Sequence, residues 1–162
     1  MRLSYHGMRA KDKNFNADYK TDFQTPLSKV ELVPQDIGRV LLNLYNNAFY
    51  AVYERVSQIR SGNFESFPNV AAGQPYTPSV IVTTKQLDNQ IVIKVKDNGT
   101  GMPESVKAKV FQPFFTTKPT GQGNTGLGLS LSYDIVVKGH GGEIECESVE
   151  GEGTTFVVKL TI

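Results

Sequence analysis

Three groups of residues in this sequence have types and spacings that could do chemistry: Asn43 with Asn47, the turn Asp97-Asn98-Gly99-Thr100-Gly101, and the glycine-rich stretch from Thr116 to Leu129. Residues four apart share one face of a helix, so the two carboxamides would point the same way. A carboxamide oxygen is a neutral, hard ligand suited to Mg²⁺, which keeps waters and substrate phosphates at its other positions. Structural hydrogen bonding or a solvated face would use the same pair. An ionised, partly buried Asp97 only accepts hydrogen bonds, so it could take one from the exocyclic amine of adenine, whereas guanine would present a carbonyl oxygen there. Gly99 and Gly101 would let the backbone turn with positive φ and approach a flat ring closely. A plain type I turn with Asp at its first position is the other reading. In the third group Gly121, Gly123, Gly126 and Gly128 precede a helix start, which offers backbone N–H groups and a positive dipole end to phosphate, and Lys118 adds a cation. The spacing is not that of a Walker loop, and Gly123-x-x-Gly126-x-Gly128 follows a loop rather than a strand, which excludes a dinucleotide-binding fingerprint. The glycines predict a mobile lid that orders over nucleotide, although an ordinary flexible loop has the same composition.

A helix, a strand end and a loop must hold these groups. Ile37, Val40, Leu41, Leu44, Ala48, Ala51, Val52, Val56 and Ile59 recur at three- and four-residue intervals behind Pro34, which predicts a long amphipathic helix over about 35–60 with both asparagines beside its apolar stripe. Val80 to Thr84 and Gln90 to Lys96 read as strands joined through Asp88-Asn89, the second running into Asp97. Pro103 opens a short helix to about Val110, residues 111–126 are irregular, and Leu127 to Lys138 is helical, stopped by Gly139, Gly141 and Gly142. Gly142 to Val149 and Thr154 to Ile162 form a closing hairpin through Glu150-Gly151-Glu152-Gly153. Near the start, Asn14 to Phe23 alternates like a half-buried strand, and a second short strand is expected at Lys29 to Val33. The expected division is 1–13 as a linker or the end of a preceding helical hairpin and 14–162 as one domain, with 61–79 a surface insertion rich in Pro, Gly and polar residues. Strands and helices mix without βαβ repetition, so the class is α+β, a two-layer α/β sandwich.

Bulk properties narrow the partners. The chain has 162 residues, enough for one core, and a formal charge of +1, so no broad field points to nucleic acid or an anionic membrane. A single cysteine, Cys146, excludes an internal disulfide framework and a Cys-based zinc cluster and suits a reducing compartment, the cytoplasm by default. No apolar run is long enough to span a bilayer and no signal peptide is legible, which leaves room for the cytoplasmic end of a membrane-anchored sensor.

The order of the motifs resembles a known family. Asn43-Leu44-Tyr45-Asn46-Asn47-Ala48 is similar to the N box of sensor histidine kinases and Asp97 to Met102 to their G1 box. Phe111 to Lys118 resembles the F box, Gly126-Leu127-Gly128-Leu129-Ser130 the G2 box, and Gly151 to Phe156 the glycine turn near the domain's end. The resemblance implies the Bergerat fold: a mixed, mostly antiparallel sheet under about three helices, with ATP or ADP and Mg²⁺ beneath a flexible lid. It implies Asn47 as the Mg²⁺ ligand, Asn43 as a polar neighbour of the phosphates, and Asp97 on the adenine amine with Gly99, Gly101 and Met102 around it. Phe111, Phe114 and Phe115 would anchor the lid; Thr125, Gly126, Leu127, Gly128 and Leu129 would reach the phosphates, as would Lys118, and Thr155 would flank the nucleotide. Asn43, Asn47 and Lys118 are thus the residues implied for catalysis. Many kinases of the family carry Lys or Arg three residues after the metal-binding Asn, where this chain has Tyr50, so Lys118 or Arg39 must meet the phosphate charge.

Gyrase, mismatch-repair and heat-shock ATPases share the fold and place a Glu four residues before the Asn to activate water. Here that residue is Asn43, an amide that cannot accept a proton, which favours transfer to an already nucleophilic imidazole over hydrolysis. His6 lacks the acidic neighbour usual after a phosphoacceptor, and His140, among glycines at a helix end, suits a capping role. The acceptor is therefore expected on upstream dimerisation helices of the same protein, with a response regulator receiver domain as the next partner, the isolated domain a monomer and the full-length protein a homodimer. A serine kinase of the anti-sigma type and a non-catalytic nucleotide-binding regulatory module are the competing readings.

Overall fold

The computed structural model describes residues 1–63, 65–119 and 125–162. Residues 120–124 of the expected lid lie outside the described residues.

Helix α1 spans Arg2–Lys11, strand β1 Asp18–Phe23, helix α2 Pro34–Arg60 and the short helix α3 Pro68–Ala71. The hairpin of β2 (Ser79–Leu87) and β3 (Gln90–Asp97) follows, then α4 (Glu104–Lys107), α5 (Gly128–Tyr133) with a π-helical continuation over Asp134–Gly139, and the hairpin of β4 (Glu143–Val149) and β5 (Gly153–Thr161). The strands form one sheet in the order β1-β2-β3-β5-β4, in which only the β1–β2 pair is parallel. The α+β sandwich with a mixed, mostly antiparallel sheet is therefore observed.

Strand parity places the site. Side chains alternate across a sheet, so Ile91, Ile93, Val95 and Asp97 of β3 all point to one face, and all are buried. Val80 and Val82 of β2, Phe156, Val158 and Leu160 of β5, and Ile144 of β4 complete that face, against which α2 lays Ile37, Val40, Leu44, Ala48 and Val52. The hydrophobic stripe thus delivers a carboxylate to the helix layer at its last position. The opposite face is charged: Lys94 and Lys96 project from β3, and Lys159 bonds Glu143 at 3.1 Å and Glu145 at 2.6 Å. Pro34 at the first turn of α2 has its φ fixed for a helix, and Asp36 near the start and Arg60 near the end suit the helix dipole.

Several segments differ from expectation. The first residues are no linker but α1, whose Tyr5 and Met8 are buried; the Tyr5 ring lies 5.1 Å from Tyr19 and 5.8 Å from Phe49. Residues 29–33 form no strand: Val30 and Leu32 pack against the core, which explains their alternation, but no ladder partner lies alongside among the described residues. His140 Nε2 accepts the N–H of Val33 at 3.0 Å, which leaves Nδ1 to donate to the Ile135 carbonyl at 2.8 Å. That ring joins the end of α5 to the start of α2, in keeping with the capping role expected. Cys146 is half-buried and free, and burial pushes its thiol up to about 12. No helix of the described residues is long and apolar enough to cross a membrane.

Candidate functional site

A cleft of about 560 Å³ opens between α2, the ends of β3 and β5, and the segments before and after residues 120–124. Asn43 and Asn47 line it from α2, and Asp97, Gly101 and Met102 from the strand end. Phe115, Lys118, Thr125 and Gly126 line it from the loop, Gly128 and Leu129 from α5. Four expected ligand residues are not on the wall. Gly99 is buried behind it, where an added Cβ would sit 2.5 Å from the Ala51 carbonyl carbon, so its role is close packing of the turn on α2. The Phe111 ring packs 6.2 Å from Phe156 and 5.8 Å from Tyr133, and Leu127 is exposed. Thr155 has the wrong parity for the inner face, and the neighbours Thr154 and Phe156 take its place. Phe114 is 75% exposed with a φ of 62°, and Arg39 is exposed and off the wall.

Asp97 is 3% exposed. Its Oδ1 accepts the N–H of Gly99 at 2.8 Å and that of Thr154 at 3.3 Å, while among the described residues no hydrogen bond reaches Oδ2. Burial pushes the carboxyl up to about 7, against the pull of those two amides. A buried acceptor with one committed oxygen can orient a planar donor ligand from the other.

Across the cleft, Asn43 Nδ2 donates to the Gly128 carbonyl at 3.1 Å and the Ser132 hydroxyl at 3.3 Å, tying α2 to the start of α5. One turn on, Asn47 Oδ1 accepts a hydrogen bond from Lys118 Nζ at 2.6 Å. Burial brings the Lys118 ammonium down to about 8. Tyr50 and Glu54 continue the same face, and the Tyr50 hydroxyl donates to Glu54 Oε1 at 3.2 Å. Both were missed in the sequence, although the spacing 43, 47, 50, 54 is that of one helix face. The nearby carboxylate reinforces the effect of burial on Tyr50, whose phenol is pushed up to about 12.

Arg55 was also missed. It is 5% exposed, and its Nη1 donates to the carbonyls of Asn98 at 3.0 Å and Gly99 at 3.2 Å. Its guanidinium lies between the rings of Phe67, at 4.6 Å, and Tyr76, at 4.4 Å, both from the segment expected to be a mere surface insertion. The Tyr76 hydroxyl donates to the Asn98 carbonyl at 3.0 Å. The guanidinium thus fixes the back of the Asp97 turn through backbone carbonyls and two aromatic faces. Arg55→Met leaves those carbonyls without their charged donor and is expected to cost about 2 to 3 kcal/mol in urea unfolding. A loss under about 0.5 kcal/mol would show that the turn stands without the clamp.

The sandwich, its inward carboxylate and the facing asparagines define an ATPase-type nucleotide-binding domain. The family model for histidine kinase-, DNA gyrase B-, and HSP90-like ATPases matches residues 32–162, and the chain belongs to that family. It is 34% identical over 145 residues to the signal transduction histidine-protein kinase AtoS of Escherichia coli (strain K12), covering 90% of this chain and 20% of that protein. It is 38% identical over 112 residues to sporulation kinase E of Bacillus subtilis (strain 168), covering 68% of this chain and 15% of that protein. The chain therefore spans about a fifth or less of the length of these relatives. Among solved structures, the catalytic domain of histidine kinase ThkA in a nucleotide-free form superposes with a TM-score of 0.69 at 28% identity, covering 99% of this chain and 90% of that one.

Proposed function

We propose that this chain is the ATP-binding kinase domain of a two-component sensor, which gives the γ-phosphate of Mg-ATP to a histidine on a dimerisation helix hairpin outside these residues. A response regulator receiver domain would then take the phosphate, in the cytoplasm, and the full-length protein would be a homodimer. The observation that carries this reading is Asn43, whose amide donates to Gly128 and Ser132 at the place where the hydrolytic members keep a proton-accepting Glu. A site without that base favours transfer to a nucleophile that needs little activation.

The residues suit the ligand. Asp97 Oδ2 would accept from the adenine amine, with Met102, Leu129 and Phe156 as apolar walls. Asn47 Oδ1 already accepts from an ammonium, so this oxygen is placed to meet a cation, and an amide joined by waters and phosphate oxygens is a donor set that Mg²⁺ tolerates. Among the described residues no cluster of three His, Cys, Asp or Glu competes for the metal. When bound, the metal bridges phosphate oxygens and offsets their charge. Lys118 would neutralise the transferred group, and the backbone around Gly126 and Gly128 would cradle it.

Titration calorimetry with Mg-ATP and Mg-ADP tests the binding, and phosphorylation of the full-length protein tests the transfer. Acid-labile, alkali-stable phosphate on histidine is expected. Acid-stable phosphoserine on a partner would instead support the anti-sigma-type kinase, and rapid ATP hydrolysis lost in Asn43→Ala would support an ATPase. Nucleotide binding without any transfer would support the regulatory module. Lys118→Ala is expected to weaken Mg-ATP about tenfold and leave adenosine unchanged. Equal losses for both ligands would remove Lys118 from the phosphates.

A further inference from the structure

Lys118 is held in an unusual way for a lysine withdrawn from water. Its Nζ donates to Asn47 Oδ1 at 2.6 Å and stands 4.5 Å from the centroid of the Tyr50 ring. Among the described residues no carboxylate lies within ion-pair distance of it. An aromatic face is negative at its centre and attracts an ammonium without the directional demands of a hydrogen bond. The ring is itself held, because the Tyr50 hydroxyl donates to Glu54 Oε1 at 3.2 Å one helical turn further along α2. The three α2 side chains Asn47, Tyr50 and Glu54 therefore form a seat for a cation that arrives from a segment 68 residues downstream of the tyrosine.

We infer that Tyr50 is a positioning residue whose ring seats the Lys118 ammonium beside Asn47 and keeps it at the phosphate end of the cleft. The cation that many relatives build into the helix at this place is supplied here by the loop. Asn47 Oδ1 cannot serve the ammonium and a metal ion at once; the ring face holds Lys118 within reach when that oxygen is taken. The seat is a property of the chain alone, whereas its action on phosphate rests on the function proposed above.

Two measurements separate these parts. In the nucleotide-free chain with ¹³C-labelled lysine, the Lys118 ε-methylene protons should resonate upfield of the other lysines because of the ring current. The shift should persist in Tyr50→Phe and vanish in Tyr50→Leu. In calorimetry, Tyr50→Leu should weaken Mg-ATP about threefold to tenfold, Tyr50→Phe less than about twofold, and neither should alter adenosine binding. In the Lys118→Ala background, Tyr50→Leu should cause no further loss, because the ring then has nothing to seat. An unshifted Lys118 signal in the parent protein, or a Tyr50→Leu loss undiminished in the Lys118→Ala background, would overturn the inference. A shifted signal in a protein that binds no Mg-ATP would overturn the proposed function and leave the seat standing.

Discussion

Asp97→Asn is expected to bind ATP roughly 1 to 3 kcal/mol more weakly, yet at pH 8 to melt at a higher temperature than the parent protein. The binding loss follows from replacing the charged acceptor proposed for the adenine amine with an amide. The stability gain follows from burial. The Asp97 carboxyl moves from its ordinary 3.8 to about 7 on folding, so the folded state holds the proton more tightly than the unfolded state. Its contribution is fully present below pH 4 and is lost as pH rises through about 7; at pH 8 the ionised form carries roughly 4 kcal/mol of unfavourable free energy. Asparagine is neutral throughout and retains one oxygen for the amides of Gly99 and Thr154. Melting curves at pH 5 and pH 8 should show the difference between the two proteins narrowing at the lower pH. An unchanged dissociation constant would remove Asp97 from the adenine site, and a variant less stable at pH 8 would refute the burial argument.

Gly153→Ala should do more general damage, at least about 3 kcal/mol in denaturant unfolding together with loss of ATP binding. Gly153 has a φ of 138°, and an added Cβ would run into the Asp97 carbonyl oxygen and sit 2.8 Å from the Asn98 Cα. The strand start that brings Thr154 N–H to Asp97 is possible only because residue 153 has no side chain. Gly128→Ala gives the contrast, since its Cβ would meet Asn43 no closer than 3.6 Å, an ordinary contact, and folding should hardly change. Comparable destabilisation by the two substitutions would contradict this geometry.

Local patterns carried most of the fold in the sequence. The three- and four-residue period of α2, the alternation of β3 and the two hairpins are all written within single elements. The parity that turns Asp97 inward is legible too, as the last term of Ile91, Ile93, Val95. What stayed hidden depends on contacts between distant segments. Arg55 sits on a helix whose spacing says nothing of Phe67 or Tyr76, and the Pro- and Gly-rich composition around those rings suggested a solvated insertion. The meeting of Tyr50 with Lys118 joins a helix to a loop without a repeat of its own. Residues 29–33 misled for a different reason: burial of Val30 and Leu32 imitates a strand, but a strand also needs a neighbour with free backbone groups.

Gly126, at a φ of 68°, lies so close to Phe114 that a Cβ would come within 2.5 Å of the Phe114 carbonyl carbon. The two ends of the intervening segment are thus pinched together by the backbone itself, and bringing chain ends together is the entropic term that grows with loop length. That closure is completed when the domain folds, before any nucleotide arrives. A ligand beneath the segment need only select among arrangements of a loop already closed, so lengthening the segment by a few residues should alter affinity far less than opening the pinch.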